Sequence, residues 1–334
     1  HILHFHFHFI DMQKKTNDIV MGTHGRGVII IDDISPLRQL GQDVLAKEVH
    51  FFESGPFTMV EESGFAGSFG AETQFVGNNK STSARIVYYL KKRHTFGKMK
   101  MEVQDMEGNK ITSLSPLKSK GINIVNWNFI SRTPKTAQGK TLAFGGFTPK
   151  RVAAGKYKIV LTKGKNTYEH IIDVKYDESS LTSLADRKEQ EELTTTVFNM
   201  VEDLAYMVYE LGETQKKALE VIKSHPKGKK SAQKLYDALE GLRKDLVITT
   251  GDNYVASAEP ELRERLGDLY SGVASSFDGV SGARAENFKL ISEEFNTEKQ
   301  RYATIMAKEG KKFLAFLEKN DIPAPKVDSK EKFL

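Results

Sequence analysis

The sequence predicts a multidomain protein of β plus α class, an all-β half followed by an antiparallel helical bundle. Three observations carry that expectation. Short apolar runs broken by turn residues fill residues 84–175, the period of a sheet protein. From Leu193 to Leu317 apolar residues recur every three or four positions, the period of packed helices. At 334 residues the chain is long enough for two or three separate cores.

The totals exclude several classes. A hydrophobic share of 39 % with 28 % charged residues is ordinary for a folded domain and unlike a disordered or membrane chain. No window approaches 18 uncharged apolar residues, so no membrane span is expected. The net charge of +5 is carried by lysines interspersed with glutamates, the pattern of solvated helix faces and not of a nucleic-acid groove. The one dense run, Lys227-Gly-Lys-Lys230, reads as a solvated loop between helices. Without cysteine there are no disulfides, thiol chemistry or Cys-based zinc sites. No cofactor is expected. The first residue already sits in strand-like sequence, without initiator Met or signal peptide, so a C-terminal piece of a longer protein is expected.

Residues 1–10 alternate, with His4, His6 and His8 on one face and Phe5, Phe7 and Phe9 on the other. Three such histidines are the chain's only metal candidates. Same-face neighbours on a strand stand roughly 6.5–7 Å apart, so all three reach one ion only if the strand bends. A strand face without metal is the expectation.

Two apolar runs, residues 19–21 and 28–31, flank Gly22-Thr-His-Gly-Arg-Gly27. The spacing lacks the G-x-G-x-x-G pattern and a following Lys-Ser/Thr, and the loop leads into β-branched residues, not a helix N-terminus. A hairpin turn is therefore expected, with His24 and Arg26 bonding neighbouring carbonyls or the carboxylates of Asp32 and Asp33. This hairpin is expected to close a sheet whose remaining strands are not in this sequence.

Asn17-Asp-Ile-Val-Met-Gly-Thr-His-Gly-Arg-Gly-Val28, continued by Asp32-Asp-Ile-Ser-Pro-Leu-Arg-Gln-Leu40, resembles the end of the β-propeller in bacterial proteins related to sortilin and the VPS10 domain. These are often labelled BNR-repeat or glycosyl-hydrolase-like. The resemblance implies that residues 1–53 are a remnant of the last propeller blade and its exit segment. It makes Gly22, His24, Gly25, Arg26, Gly27, Asp32, Asp33 and Arg38 family-motif residues of structural role. It also implies export to the periplasm, cell surface or medium of a bacterium, and a missing upstream propeller as the main partner.

Residues 54–83 are rich in Gly, Phe and Ser with little periodicity and read as a linker, its Phe57, Phe65, Phe69 and Phe75 pinning it to neighbouring surfaces. Strands are expected at residues 84–90, 99–104, 111–114, 122–129, 156–161 and 168–174, a β-sandwich over 84–176. Trp127, the only tryptophan, shares a face with Val125 and is expected as a core ring before a sugar platform. Gly121 to Trp127, followed by Ala154-Gly-Lys-Tyr157, resembles the Ig-like domains that follow propellers in this family, and is similar to the flagellar-hook-cap type of Ig-like fold.

Over residues 177–325 four amphipathic helices are expected. The first runs from Leu193 to Ile222 and stops at Pro226; the second covers residues 232–246. The third opens at Pro260 and the fourth carries Phe288 to Leu317, ended by Pro323 and Pro325. Residues 326–334 are a tail. The stretch from Leu262 to Gly279 resembles the family's C-terminal helical region.

A glycosidase needs two carboxylates facing across a sugar, roughly 5–9 Å apart. Asp32, Asp33, Glu61 and Glu62 are the candidates, but adjacent residues on a strand point to opposite faces. The sialidase Asp-box is absent: Ser276-Phe-Asp-Gly279 lacks its spacer and tryptophan. No catalytic residue is assigned. The leading reading is a non-catalytic accessory or scaffold region that braces or displays the propeller. The competing readings are part of a glycoside hydrolase whose active site lies mainly in the missing propeller, and a module binding glycan or protein.

Overall fold

The computed structural model describes residues 6–14, 16–25, 27–61, 82–250 and 259–334. It is a mixed β and α structure whose sheets do not close into a barrel. Two compact units divide it: the first takes the chain through residue 61, residues 82–130 and Ala153–Glu178, and the second takes Ser131–Val152 and Ser179–Leu334. No helix is long and apolar enough to cross a membrane among the described residues.

In the first unit β1 (Phe7–Gln13), β2 (Asp18–Thr23) and β3 (Val28–Ile31) form an antiparallel sheet in the order β1-β2-β3. The register pairs Ile10 with Met21 and Met21 with Ile29, which leaves Phe9, Val28 and Ile30 on the opposite face. Those three are 79 %, 64 % and 59 % exposed. Two short helices, α1 (Ser35–Arg38) and α2 (Gln42–Ala46), follow.

The remaining strands make two further sheets. β4 (Val49–Phe51), β6 (Ala84–Leu90) and β9 (Gly121–Trp127) lie in the order β4-β6-β9. β5 (Phe57–Met59), β7 (Met99–Gln104), β8 (Lys110–Leu114), β10 (Gly155–Lys163) and β11 (Asn166–Tyr176) lie in the order β5-β11-β10-β7-β8. Alternation decides which side chains meet. Ile86, Tyr88 and Leu90 of β6, Met101 and Val103 of β7, and Ile159 and Leu161 of β10 are buried. Trp127 is buried among them, edge-on to Tyr157 at 5.1 Å, and its indole N–H donates to the Ile130 carbonyl at 2.9 Å. β6 is buried on both faces, because Val87 and Tyr89 pack with Val44 of α2 and with Phe52. The β10–β11 turn has positive φ at Gly164, the first of its two central residues, as a II′ hairpin requires.

The stretch read as a linker contributes β5, which pairs in parallel with β11 through Val174 and Phe57. Three residues are too few to show a period, so the sequence hides this strand. Most of that stretch, with Glu62, Phe65, Phe69 and Phe75, lies outside the described residues.

The second unit is built on α3 (Leu184–Ser224), 41 residues and so about 60 Å long. Ser183 caps it by accepting from the Asp186 N–H at 3.1 Å, and Asp186 places a carboxylate in the first turn. α4 (Lys229–Leu246), α5 (Leu262–Ala274) and α6 (Gly282–Ile305) pack with it through Leu204, Leu211, Leu235, Leu239, Leu266 and Phe295. α6 does not run unbroken to Leu317. A π-helical turn over Met306–Gly310 intervenes before α7 (Lys311–Lys319), with Gly310 buried and Met306 packed where its Cβ would stand. The short α8 (Lys330–Phe333) ends the chain.

Ser131–Val152, expected within the strand region, belongs to this helical unit. It lacks alternation because its polar groups are matched to helix side chains instead of a ladder. Glu202 of α3, almost fully buried, takes both guanidinium nitrogens of Arg132 and accepts the Lys135 N–H at 3.1 Å. From α5, Arg263 donates to the Thr141 carbonyl at 2.9 Å and the Tyr270 hydroxyl to the Thr148 carbonyl at 3.1 Å. Gly145 and Gly267 touch backbone to backbone: a Cβ at 145 would stand 3.0 Å from the Gly267 Cα.

Candidate functional site

Two places hold the residues that chemistry would use. The first is the β1–β3 hairpin region. Thr23 closes the Gly-rich turn, its N–H and its hydroxyl both donating to the Gly27 carbonyl, at 3.0 and 2.8 Å. Gly25 and Gly27 have φ of +81° and +71°, the left-handed region that glycine enters without strain. Gly22 lies within β2 against Phe9. Arg26 lies outside the described residues.

The motif's acidic residues serve a backbone lock. The Asp18 carboxylate accepts the Asp33 N–H at 2.8 Å, the Asp33 carboxylate accepts the Ser35 N–H at 3.1 Å, and the Asn17 carbonyl accepts the Ile34 N–H at 2.9 Å. Asn17 and Asp33 both have positive φ, which Asn and Asp tolerate better than other side chains. Arg85 donates to the Asp32 carbonyl at 2.9 Å and stands 3.8 Å from the Asp33 carboxylate. Arg38 lies against the Met12 sulfur at 2.8 Å. These contacts fix how the chain leaves the sheet.

Of the three histidines, His4 lies outside the described residues. A bulge between Phe7 and Phe9 takes His8 out of simple alternation. His8 Nε2 stands 3.1 Å from His24 Nδ1, one ring donating and the other accepting, and His6 gives only its carbonyl, to the His24 N–H at 3.0 Å. Among the described residues no three His, Cys, Asp or Glu side chains converge to hold a metal ion.

The second place is a cavity of about 380 Å³ in the helical unit. α3 supplies Tyr209, Gly212, Gln215 and Lys216; α4 supplies Tyr236 and Arg243. Lys135 and Phe333 complete its rim. Phe333 is held in place: it stacks on Tyr209 with ring centres 4.6 Å apart, and Lys135 Nζ lies 3.7 Å over its ring. Behind it the Tyr206 hydroxyl donates to the Asp328 carbonyl at 3.0 Å, and the Tyr209 hydroxyl accepts the Asp328 N–H at 3.2 Å. The Gln215 side chain joins two charges, donating to Glu240 at 2.9 Å and accepting from Arg243 Nη1 at 3.3 Å. Near the tail, burial raises the Glu210 carboxyl above its ordinary value.

This cavity is absent from the sequence reading, since its residues come from positions as distant as 135 and 333. Gly212, inside an otherwise continuous helical pattern, was the signal that could have marked it.

Comparison with family models, with curated proteins and with solved structures finds no match to this chain.

Proposed function

We propose that this chain is a non-catalytic accessory region of an exported bacterial propeller protein. In this reading β1–β3 belong to the last blade, the two larger sheets form an Ig-like sandwich, and the helices form an antiparallel bundle, together bracing or displaying the propeller. The observation that carries it is the β1–β3 sheet, whose Phe9, Val28 and Ile30 face solvent on one side. Each exposed aliphatic or aromatic side chain forgoes roughly 1.5–3 kcal/mol of burial, a cost that further strands of a blade would remove. The carboxylate bonds of Asp18 and Asp33 give the motif a structural task and support the non-catalytic part. Export and the propeller itself rest on the resemblance of residues 17–40.

The test of the catalytic question is direct. The purified chain, incubated with 4-methylumbelliferyl sialoside, glucoside, galactoside and N-acetylglucosaminide, is expected to release no fluorophore above the blank. Turnover that disappears in Asp32→Asn or Asp33→Asn would overturn the reading and return these carboxylates to a hydrolase.

A further inference from the structure

We propose that the cavity of the helical unit binds a small organic anion, a carboxylate or phosphate head on an apolar body, with the head paired to Arg243. The site is independent of the scaffold role and stands on the helical unit alone.

Charge is the first argument. Arg243, half-buried, makes one long hydrogen bond among the described residues, 3.3 Å to the neutral Gln215 amide, and its Nε is buried with no hydrogen-bond partner there. No carboxylate of the described residues forms an ion pair with it. Glu240 reaches the guanidinium only through the Gln215 amide, so its partial burial without a direct ion pair costs free energy that an incoming anion would return, and the planar fork suits carboxylate and phosphate alike. Lys135 adds a second cation, its ammonium engaged among the described residues by the Phe333 ring and carbonyl. The lone acidic residue of the lining, Glu213, is neutralised by Lys216 at 2.5 Å. The lining therefore carries a net positive charge and no free carboxylate. A helix-dipole role does not account for Arg243, because the exposed Lys244 beside it in the last turn of α4 can fill that role without burial.

Space is the second argument, and it is separate from charge. Gly212 sits in mid-α3, where glycine costs roughly 0.5–1 kcal/mol relative to alanine. A Cβ there would meet no atom within 4 Å, so close packing does not require the glycine. What it does is open the α3 wall of the cavity. The apolar body of the ligand would lie against Val208, Tyr209, Leu219, Tyr236 and Phe333. A volume of about 380 Å³ is that of a small-molecule site.

Calorimetric titration of the whole chain with 1-naphthoate, 1-naphthyl phosphate and the neutral 1-naphthamide tests this. At least one anion is expected to bind one-to-one with a Kd of about 1 mM or tighter, and the amide about tenfold more weakly. The better of the two anions tells whether the head is carboxylate or phosphate. Arg243→Gln is expected to weaken that anion by about tenfold while leaving the amide unchanged. Gly212→Leu, which fills open space with a stronger helix former, is expected to abolish binding with the melting temperature held or raised. Binding by neither anion overturns the proposal. So does equal binding of anion and amide, or binding that survives Arg243→Gln. Should Gly212→Leu fail to fold, the Arg243→Gln comparison still decides.

Discussion

His170 of β11 lies face to face with Phe51 of β4, ring centres 5.3 Å apart and planes within 10°. Burial holds its pKa below the ordinary 6.5, assisted by the charge of His50 and opposed by that of Glu53. The folded state thus keeps the imidazole neutral, and the unfolded chain takes up the proton first as pH falls. His170 costs no stability above about pH 7, and stability falls as pH drops through 6.5 toward the folded value. Burial depresses His50 in the same direction. Thermal melts at about pH 7.5 and 5.5 are expected to show a lower midpoint at the acid pH, with a smaller drop in His170→Phe. An equal drop in both would remove His170 from the account. Residue-level pattern made Trp127 legible as a core ring; it could not reveal the His170–Phe51 stack, which joins strands more than a hundred positions apart.

Among the elements, α3 does most to organise the helical unit, and the contact that fixes Ser131–Val152 to it is the pair of Arg132 with Glu202. Glu202 is 4 % exposed while Arg132 is only half-buried. Removing the arginine leaves an interior carboxylate with only the Lys135 N–H as partner; a fully buried pair broken on one side loses roughly 3–5 kcal/mol. Arg132→Ala is expected to lower urea stability by about 3 kcal/mol, the low end because one partner is wet. A loss under about 1 kcal/mol would make the pair an ordinary surface contact. Regular elements were readable: β7, β10 and α3 to α5 fall where alternation or the three-to-four spacing puts them, and β6 where an apolar run buried on both faces puts it. What escaped were elements too short for a period, β4, β5, α1 and α2. The π turn at Met306–Gly310 escaped too, because its apolar spacing differs little from that of a helix. Ser131–Val152 could not be assigned to its unit, since its polar atoms are satisfied by side chains distant in sequence.

At the scale of the whole molecule, the β and α halves and their order were legible because each buries apolar residues with its own period. The candidate site was legible only in part. Residues 17–40 announced a tight, Gly-rich hairpin with an acidic exit, and the bonds of Asp18, Asp33 and Ser35 give that motif its physical task. The cavity of the helical unit needed the fold to assemble it. The exposed face of β1–β3 remains the feature that this chain's own core does not use, and the proposed role rests on it. The most direct measurement is the mass of the native polypeptide, read by immunoblot of its source with an antibody raised to residues 84–334. The account predicts a band far above 37.5 kDa, carrying the strands that cover Phe9, Val28 and Ile30. A single band at 37.5 kDa would contradict it.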